Sequence, residues 1–221
     1  MTAVTQSSEL LDADRSTLRR DHHEQSHGVE PRQLDTNLFQ SVGSDPNEGV
    51  VSMKVDTPPP REKAIIWHDP AILAAAASEL SGREILEAIA AGRLPEPPMA
   101  ALVGARLVSV GEGEVVFTCT PDQSTYNPLA IVHGGLLCTL LDFAAGASVQ
   151  TLLPARATLS SIEIKVSYLA PIRANSGELE VHGRALRAGT RVAFAEAHAR
   201  DQHGDLVGHA TTSLALGRRS T

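Results

Sequence analysis

Residues 126–152 read YNPLAIVHGGLLCTLLDFAAGASVQTL, and the second half of that run decides the architecture. From Gly134 to Leu152 almost every side chain is apolar, Asp142 is the charged exception, and Pro154 closes the segment. A helix apolar almost all round is buried on most of its sides. Strand patterns flank it. Upstream, Leu107–Val110 and Val115–Thr120 bracket Gly111-Glu112-Gly113, a hairpin signal. Downstream, Ile162, Ile164, Val166 and Tyr168 alternate with Ser161, Glu163, Lys165 and Ser167 as far as Pro171, the pattern of a half-buried strand. Three further strands follow, Leu179–Leu186, Arg191–Arg200 and Leu206–Leu216, joined by the turns Ala188-Gly189-Thr190 and Gln202-His203-Gly204. Turns this short make antiparallel neighbours. Two strands, a long buried helix and four strands predict an α+β fold, with an antiparallel sheet curled around a central helix.

Ahead of this unit, Asp69-Pro70 has the form of a helix start, with an N-cap followed by proline at the first helical position. Ser81-Gly82-Arg83-Glu84 is a capping box, Ile85, Leu86 and Ile89 follow at helical spacing, and Gly92 is a stop. Two short helices are therefore expected in 63–96, ended by Glu96-Pro97-Pro98, with the main domain spanning 97–217 and a short tail at 218–221. Residues 1–62 are polar and aperiodic and finish in a Pro58-Pro59-Pro60 linker, the composition of a disordered tail. His22, His23 and His27 lie in that tail with no matching ligand set, so they read as solvated residues and not as a metal site. Met53 is an alternative start.

The formal net charge of −7 over 221 residues gives no basic footprint for nucleic acid, and an anionic substrate would need a local patch of Arg or Lys. Two cysteines, Cys119 and Cys138, imply no disulfide framework and suit a reducing compartment. With neither a signal-peptide pattern nor an apolar run of spanning length, a cytoplasmic protein without a membrane partner is expected.

The candidate chemistry lies on the helix and just before it. At 3.6 residues per turn, Leu136, Leu137, Leu140, Ala144 and Ala147 form a stripe that can fill the concave face of the sheet. Gly135, Cys138, Thr139, Asp142, Ala145, Gly146 and Val149 form the opposite face, where small side chains admit another helix, another subunit or a ligand. A carboxylate in that setting needs a partner or a function, since burial without one is costly. Capping a neighbouring backbone or pairing with an arginine would also satisfy it. Gly134 and Gly135 at the helix start expose backbone N–H groups where the helix dipole is positive, an arrangement that can hold a carbonyl oxygen as it gains charge. Cys138, in mid-helix, reads as a small core residue and not as a nucleophile.

The run Asn127-x5-His133-Gly134-Gly135-x6-Asp142, with Ser161 and the strand end Tyr168-Leu169-Ala170-Pro171, resembles the hotdog-fold acyl-CoA thioesterases of the phenylacetate-pathway (PaaI-like) type. The likeness extends over roughly Pro97 to Gly217, and the upstream helices ending in Gly92-Arg93-Leu94-Pro95 look like those of a bacterial subgroup. It implies a dimer or a dimer of dimers with active sites between subunits, and thioester hydrolysis without a metal or other cofactor. It also implies roles: Gly134 N–H polarises the thioester carbonyl, Asn127 orients the carbonyl or the water, and Asp142 of the facing subunit is general base or nucleophile. Ser161 positions water, although a shift of one residue would hand that part to Ser160, on the other strand face. His133 orders the helix start. Gly135 and Thr139 adjoin the substrate. The phosphates of CoA call for cations at the mouth of the site, with Arg173, Arg187 and Arg191 as candidates. There is no Gly-x-Ser-x-Gly elbow, which argues against an α/β-hydrolase. Two other readings stand beside this one, a hotdog dehydratase or hydratase and a non-catalytic acyl-CoA-binding module. Aromatic residues make up only 3% of the chain, which favours aliphatic acyl groups, with Phe143 and Phe194 available to line a pocket.

Overall fold

A computed structural model describes residues 58–218. The expected disordered tail, its three histidines and Met53 therefore lie outside the described residues, apart from 58–62, which have no regular structure. The elements are α1 (Ala71–Ala76), α2 (Gly82–Ala90), α3 (Pro98–Val103), β1 (Ala105–Val110), β2 (Glu114–Cys119), α4 (Gly134–Gln150), β3 (Ala157–Tyr168), β4 (Leu179–Ala188), β5 (Val192–Arg200) and β6 (Leu206–Arg218).

The strands form one antiparallel sheet in the order β1-β2-β4-β5-β6-β3. β2 and β3 are consecutive in the chain yet β3 lies at the far edge, so the link between them, α4, crosses the sheet. The expected sheet around a central helix is the fold observed. Leu140, Leu141, Ala144 and Val149 of α4 have no exposed surface, and Val181, Ala195 and Leu214 meet them from the sheet. Each fully buried leucine contributes about 1.5–3 kcal/mol of transfer free energy.

One contact sets how deeply the helix sits. A Cβ built on Gly183 of β4 would stand 1.9 Å from the carbonyl oxygen of Ala144, so backbone meets backbone there and only glycine fits.

Three details differ from the sequence reading. Pro97-Pro98 does not close the helical prelude: Pro98 opens a third short helix, α3, because proline lacks only an N–H that the first helical position leaves unused. β3 begins at Ala157, and its register shifts between Ser161 and Glu163, so Ile162 is a bulge residue. The bulge reverses the alternation: Leu159 and Ser161 before it share the helix-facing side with Ile164 and Val166 after it, while Ile162 is 58% exposed. Ala145 and Val149, grouped by the sequence with the small-residue face, are fully buried in the core and do not line the space between α2 and α4.

The capping box is formed, with Ser81 Oγ accepting from Glu84 N–H and Glu84 Oε2 accepting from Ser81 N–H at 2.8 Å. At α1 Pro70 stands one place earlier than expected, at the N-cap, and Asp69 Oδ1 ahead of it accepts from Ala71 N–H at 2.8 Å. Gly82 N–H donates to Leu153 O at 3.0 Å and Arg156 N–H to Ala77 O at 2.9 Å, which fastens α1 and α2 to the segment that follows α4.

Gly183→Ala tests the close approach. The added methyl must push α4 and β4 apart, and the expected cost is on the order of 1–3 kcal/mol, read as a lowered midpoint in thermal and urea unfolding. An unchanged midpoint would show that the contact is slack.

Candidate active site

The segment before α4 is a loop folded on its own hydrogen bonds. Asn127 Oδ1 accepts from Leu129 N–H at 2.9 Å and Ile131 N–H at 3.4 Å, and Asn127 N–H donates to Ile131 O at 2.8 Å. An Asx turn of this kind suits the positive φ of Ala130, 57°. Asp122, at the head of the preceding 3-10 turn Gln123–Thr125, is held down to about 2 chiefly by its hydrogen bond with Lys63, and then by Ser124.

The first turn of α4 has an instructive donor count. His133 N–H goes to Thr125 O, Gly135 N–H to His133 Nδ1 at 2.8 Å, and Leu136 N–H to His133 O at 3.0 Å. Of the four donors that a helix start leaves open, only Gly134 N–H has no acceptor among the described residues. His133 is the N-cap, and accepting at Nδ1 puts the proton of the neutral ring on Nε2. Tyr168 covers Gly134: a Cβ added there would lie 3.0–3.3 Å from its ring and hydroxyl. The sequence pointed to Tyr168 only as part of a strand end.

Two turns along the helix is a second cluster. Ser161 Oγ donates to Asp142 Oδ1 at 2.8 Å. Ser161 and not Ser160 therefore meets the carboxylate, a consequence of the bulge one residue later. Thr139 Oγ1 donates to Gly135 O at 3.0 Å, so its hydroxyl hydrogen is engaged with its own helix. Cys138 and Thr139 adjoin Asp142 in a shallow groove. Behind Asp142 lies a more enclosed cavity of about 440 Å³, lined mainly by apolar side chains of α2, β1, β2 and α4. Cys119, at the end of β2, is pushed up to about 11 by burial and remains a protonated thiol.

Residues 129–207 match the family profile of the thioesterase superfamily. A candidate esterase of Halobacterium salinarum is 36% identical over 91 residues, which are 40% of this chain and 58% of the relative, so the chain spans a little over half the length of that curated protein. Among solved structures, a candidate thioesterase from Ralstonia eutropha, a phenylacetic acid degradation-related protein, is 26% identical and covers 59% of this chain and 98% of its own, with a TM-score of 0.54. A thioesterase family protein from Silicibacter pomeroyi covers 61% of this chain and 99% of its own at 22% identity and a TM-score of 0.55.

The fold is the hotdog of these thioesterase structures, and residues 129–207 are similar to the thioesterase superfamily.

Within one hotdog chain the candidate residues fall into separate groups. Asn127, His133, Gly134 and Gly135 form the first, and Thr139, Asp142 and Ser161 the second. Eight residues separate Gly134 from Asp142, about 12 Å along the helix axis, too far for both to act on one carbonyl group. Exposed Arg173 adjoins the first group, since its neighbour Ile172 accepts from Val132 N–H at 2.9 Å. Arg187 and Arg191 are exposed at the opposite end of the sheet, beside the β4–β5 turn, where Ala185 N–H meets Gly113 O and Gly113 packs near Leu152 beyond the end of α4. They do not approach Gly134 of their own chain. Phe194 is 47% exposed on β5, whereas Phe143 lines the cavity.

His133→Ala removes the cap and should lower stability by about 0.5–2 kcal/mol, with Asn at the same position recovering most of it. Equal unfolding midpoints for wild type and both variants would exclude a capping role.

Proposed function

We propose that this chain is a homo-oligomeric acyl-CoA thioesterase whose active sites lie between subunits. One observation carries the reading: the open donor Gly134 N–H and the carboxylate pair Asp142–Ser161 lie on one helix at a spacing that no single substrate carbonyl can bridge, so a second copy must complete each site. The long strand β3 has only β6 beside it, leaving an edge of the kind at which a second chain can pair.

In this mechanism the thioester carbonyl oxygen sits on Gly134 N–H of one subunit, with the Asn127 loop holding the helix start in place. Asp142 of the facing subunit, oriented by Ser161, removes a proton from water as the water oxygen bonds to the carbonyl carbon. The oxyanion formed is stabilised by Gly134 N–H and the helix dipole. Collapse breaks the carbon–sulfur bond, and the proton held by Asp142 goes to the departing thiolate. The products are a carboxylic acid and CoA. Attack by Asp142 itself would instead pass through a mixed anhydride, which single turnover in ¹⁸O-water distinguishes by label entering the aspartate. Arg173 is the cation best placed for CoA near Gly134 of its own chain; Arg187 and Arg191 would have to serve a site completed by another subunit.

Asp142→Asn should reduce free-thiol release by about 10²–10⁴-fold without changing thermal midpoint or oligomeric state. Wild-type turnover by this variant would remove Asp142 from the mechanism. A folded wild type that releases no thiol from any acyl-CoA would favour the dehydratase or binding-module reading.

The shared site has its own test. Asn127→Ala and Asp142→Asn, each inactive alone, are mixed by co-expression. In a two-fold dimer half of the molecules are mixed and each carries one intact site, so roughly a quarter of wild-type activity should return. No recovery in verified mixed dimers would mean that each site draws on one chain.

A further inference from the structure

The cavity behind Asp142 is bounded on one side by α2, which lies outside the segment that matches the thioesterase superfamily. We infer that this cavity receives the acyl chain and that α2 closes its far wall, selecting straight aliphatic chains of about fourteen carbons, since a methylene takes up about as much room as a water's ~30 Å³ share of the liquid. The inference rests on the thioesterase reading and adds a substrate class to it.

Protein interiors are packed densely, and voids larger than a water molecule are few. A space of about 440 Å³ in a small domain is of the size that ligand pockets have. It runs from the Asp142–Ser161 pair to Ile85, Leu86 and Ile89 on α2, with Leu107 and Phe117 from the first hairpin beside them. A carboxylate and a hydroxyl at one side of an apolar space match a substrate with a reactive head and a hydrocarbon tail.

The wall is built in. Gly82 lies so close to α4 that a Cβ on it would stand 2.0 Å from Gln150 O, and its N–H is tied to Leu153 O. The capping box fixes the direction in which α2 leaves this anchor, so α2 is held along the cavity and does not drop into it. The lining favours an aliphatic guest over an aryl one. Phe117 and Phe143 pack on each other, with ring centroids 6.2 Å apart and tilted by 34°, and the α2 side chains that face the space are aliphatic.

The test uses the full-length protein and straight-chain acyl-CoAs from butyryl to hexadecanoyl, with phenylacetyl-CoA beside them. Each added methylene that enters the cavity should raise kcat/KM about fourfold, with the rise ending at about fourteen carbons. Leu80→Trp, at a half-buried position of the lining, should depress dodecanoyl-CoA turnover at least tenfold more than butyryl-CoA turnover. Ile85→Ala should move the optimum to longer chains. Calorimetric binding of decanoate and butyrate to wild type and Leu80→Trp supplies a readout that does not depend on catalysis, and unfolding midpoints identify any variant that has not folded.

A wild-type optimum at butyryl-CoA, a preference for phenylacetyl-CoA over decanoyl-CoA, or Leu80 and Ile85 variants that scale every substrate equally would overturn the inference while leaving thioester hydrolysis in place. If no thioester is hydrolysed, the thioesterase reading falls and binding decides the cavity. Decanoate held by wild type and lost in Leu80→Trp supports an acyl site; no decanoate binding overturns it.

Discussion

The depth at which α4 sits in the sheet rests on the approach of Ala144 to Gly183. Once the helix is seated, its register against the strands is settled, and with it the position of every group on its surface. Leu137 then lies under Gly208, where a Cβ would stand 2.7 Å from the leucine side chain, and the start of the helix lies under Tyr168 at the end of β3. The catalytic candidates are short side chains and a backbone N–H, so their placement follows the helix and cannot be corrected by long flexible arms. A shift of α4 would carry Gly134 and Asp142 together but would separate Asp142 from Ser161, which is anchored on β3.

The two halves of α4 have different neighbours. In the second half, sheet on one side and α2 on the other bury Ala144 to Val149 almost completely. In the first half, Gly135 is exposed and Cys138, Thr139 and Asp142 are half-buried. The sequence shows one small-residue face along the whole helix, because side-chain size is periodic there but its covering is not. Gly82 of α2 comes up against Gln150 at the end of α4, outside that face. Where nothing in the described chain lies on it, the same smallness leaves ground for another molecule. Asp142 stands at the border between the two.

Features written in local chemistry could be read from the sequence. Glycine turns, the Ser81–Glu84 box and the buried run of α4 each concern residues close together in the chain, and they gave the order of strands and helices and the motif around His133. Features that depend on distant partners could not. Pro98 stops one helix and starts another by the same chemistry, and the choice depends on where the chain goes next. The bulge at Ile162 leaves no mark in the alternation, since Ser161 simply reads as polar and outward, yet it is the bulge that turns Ser161 toward Asp142. The cavity was wholly illegible, because its walls come from α2, the first hairpin, α4 and β3, which meet only in the folded chain.

The proposed pairing of subunits follows from the helix alone. If Asp142 of each chain serves Gly134 of the other, two-fold symmetry requires the two α4 helices to run antiparallel across the contact, with the axis beside the midpoint of the two positions. That midpoint is residue 138. Gly135, Cys138 and Thr139 surround it, with side chains small enough for close approach of two helices, and Thr139 has turned its hydroxyl hydrogen back onto Gly135 O. A bulky residue at the axis would hold the helices apart and open both sites at once, since the same contact creates them in pairs. On the proposed reading, the smallness of this face and the separation of about 12 Å between donor and base are one geometric requirement that links assembly to catalysis, each chain bringing both halves of the machinery and completing its sites only with a second copy.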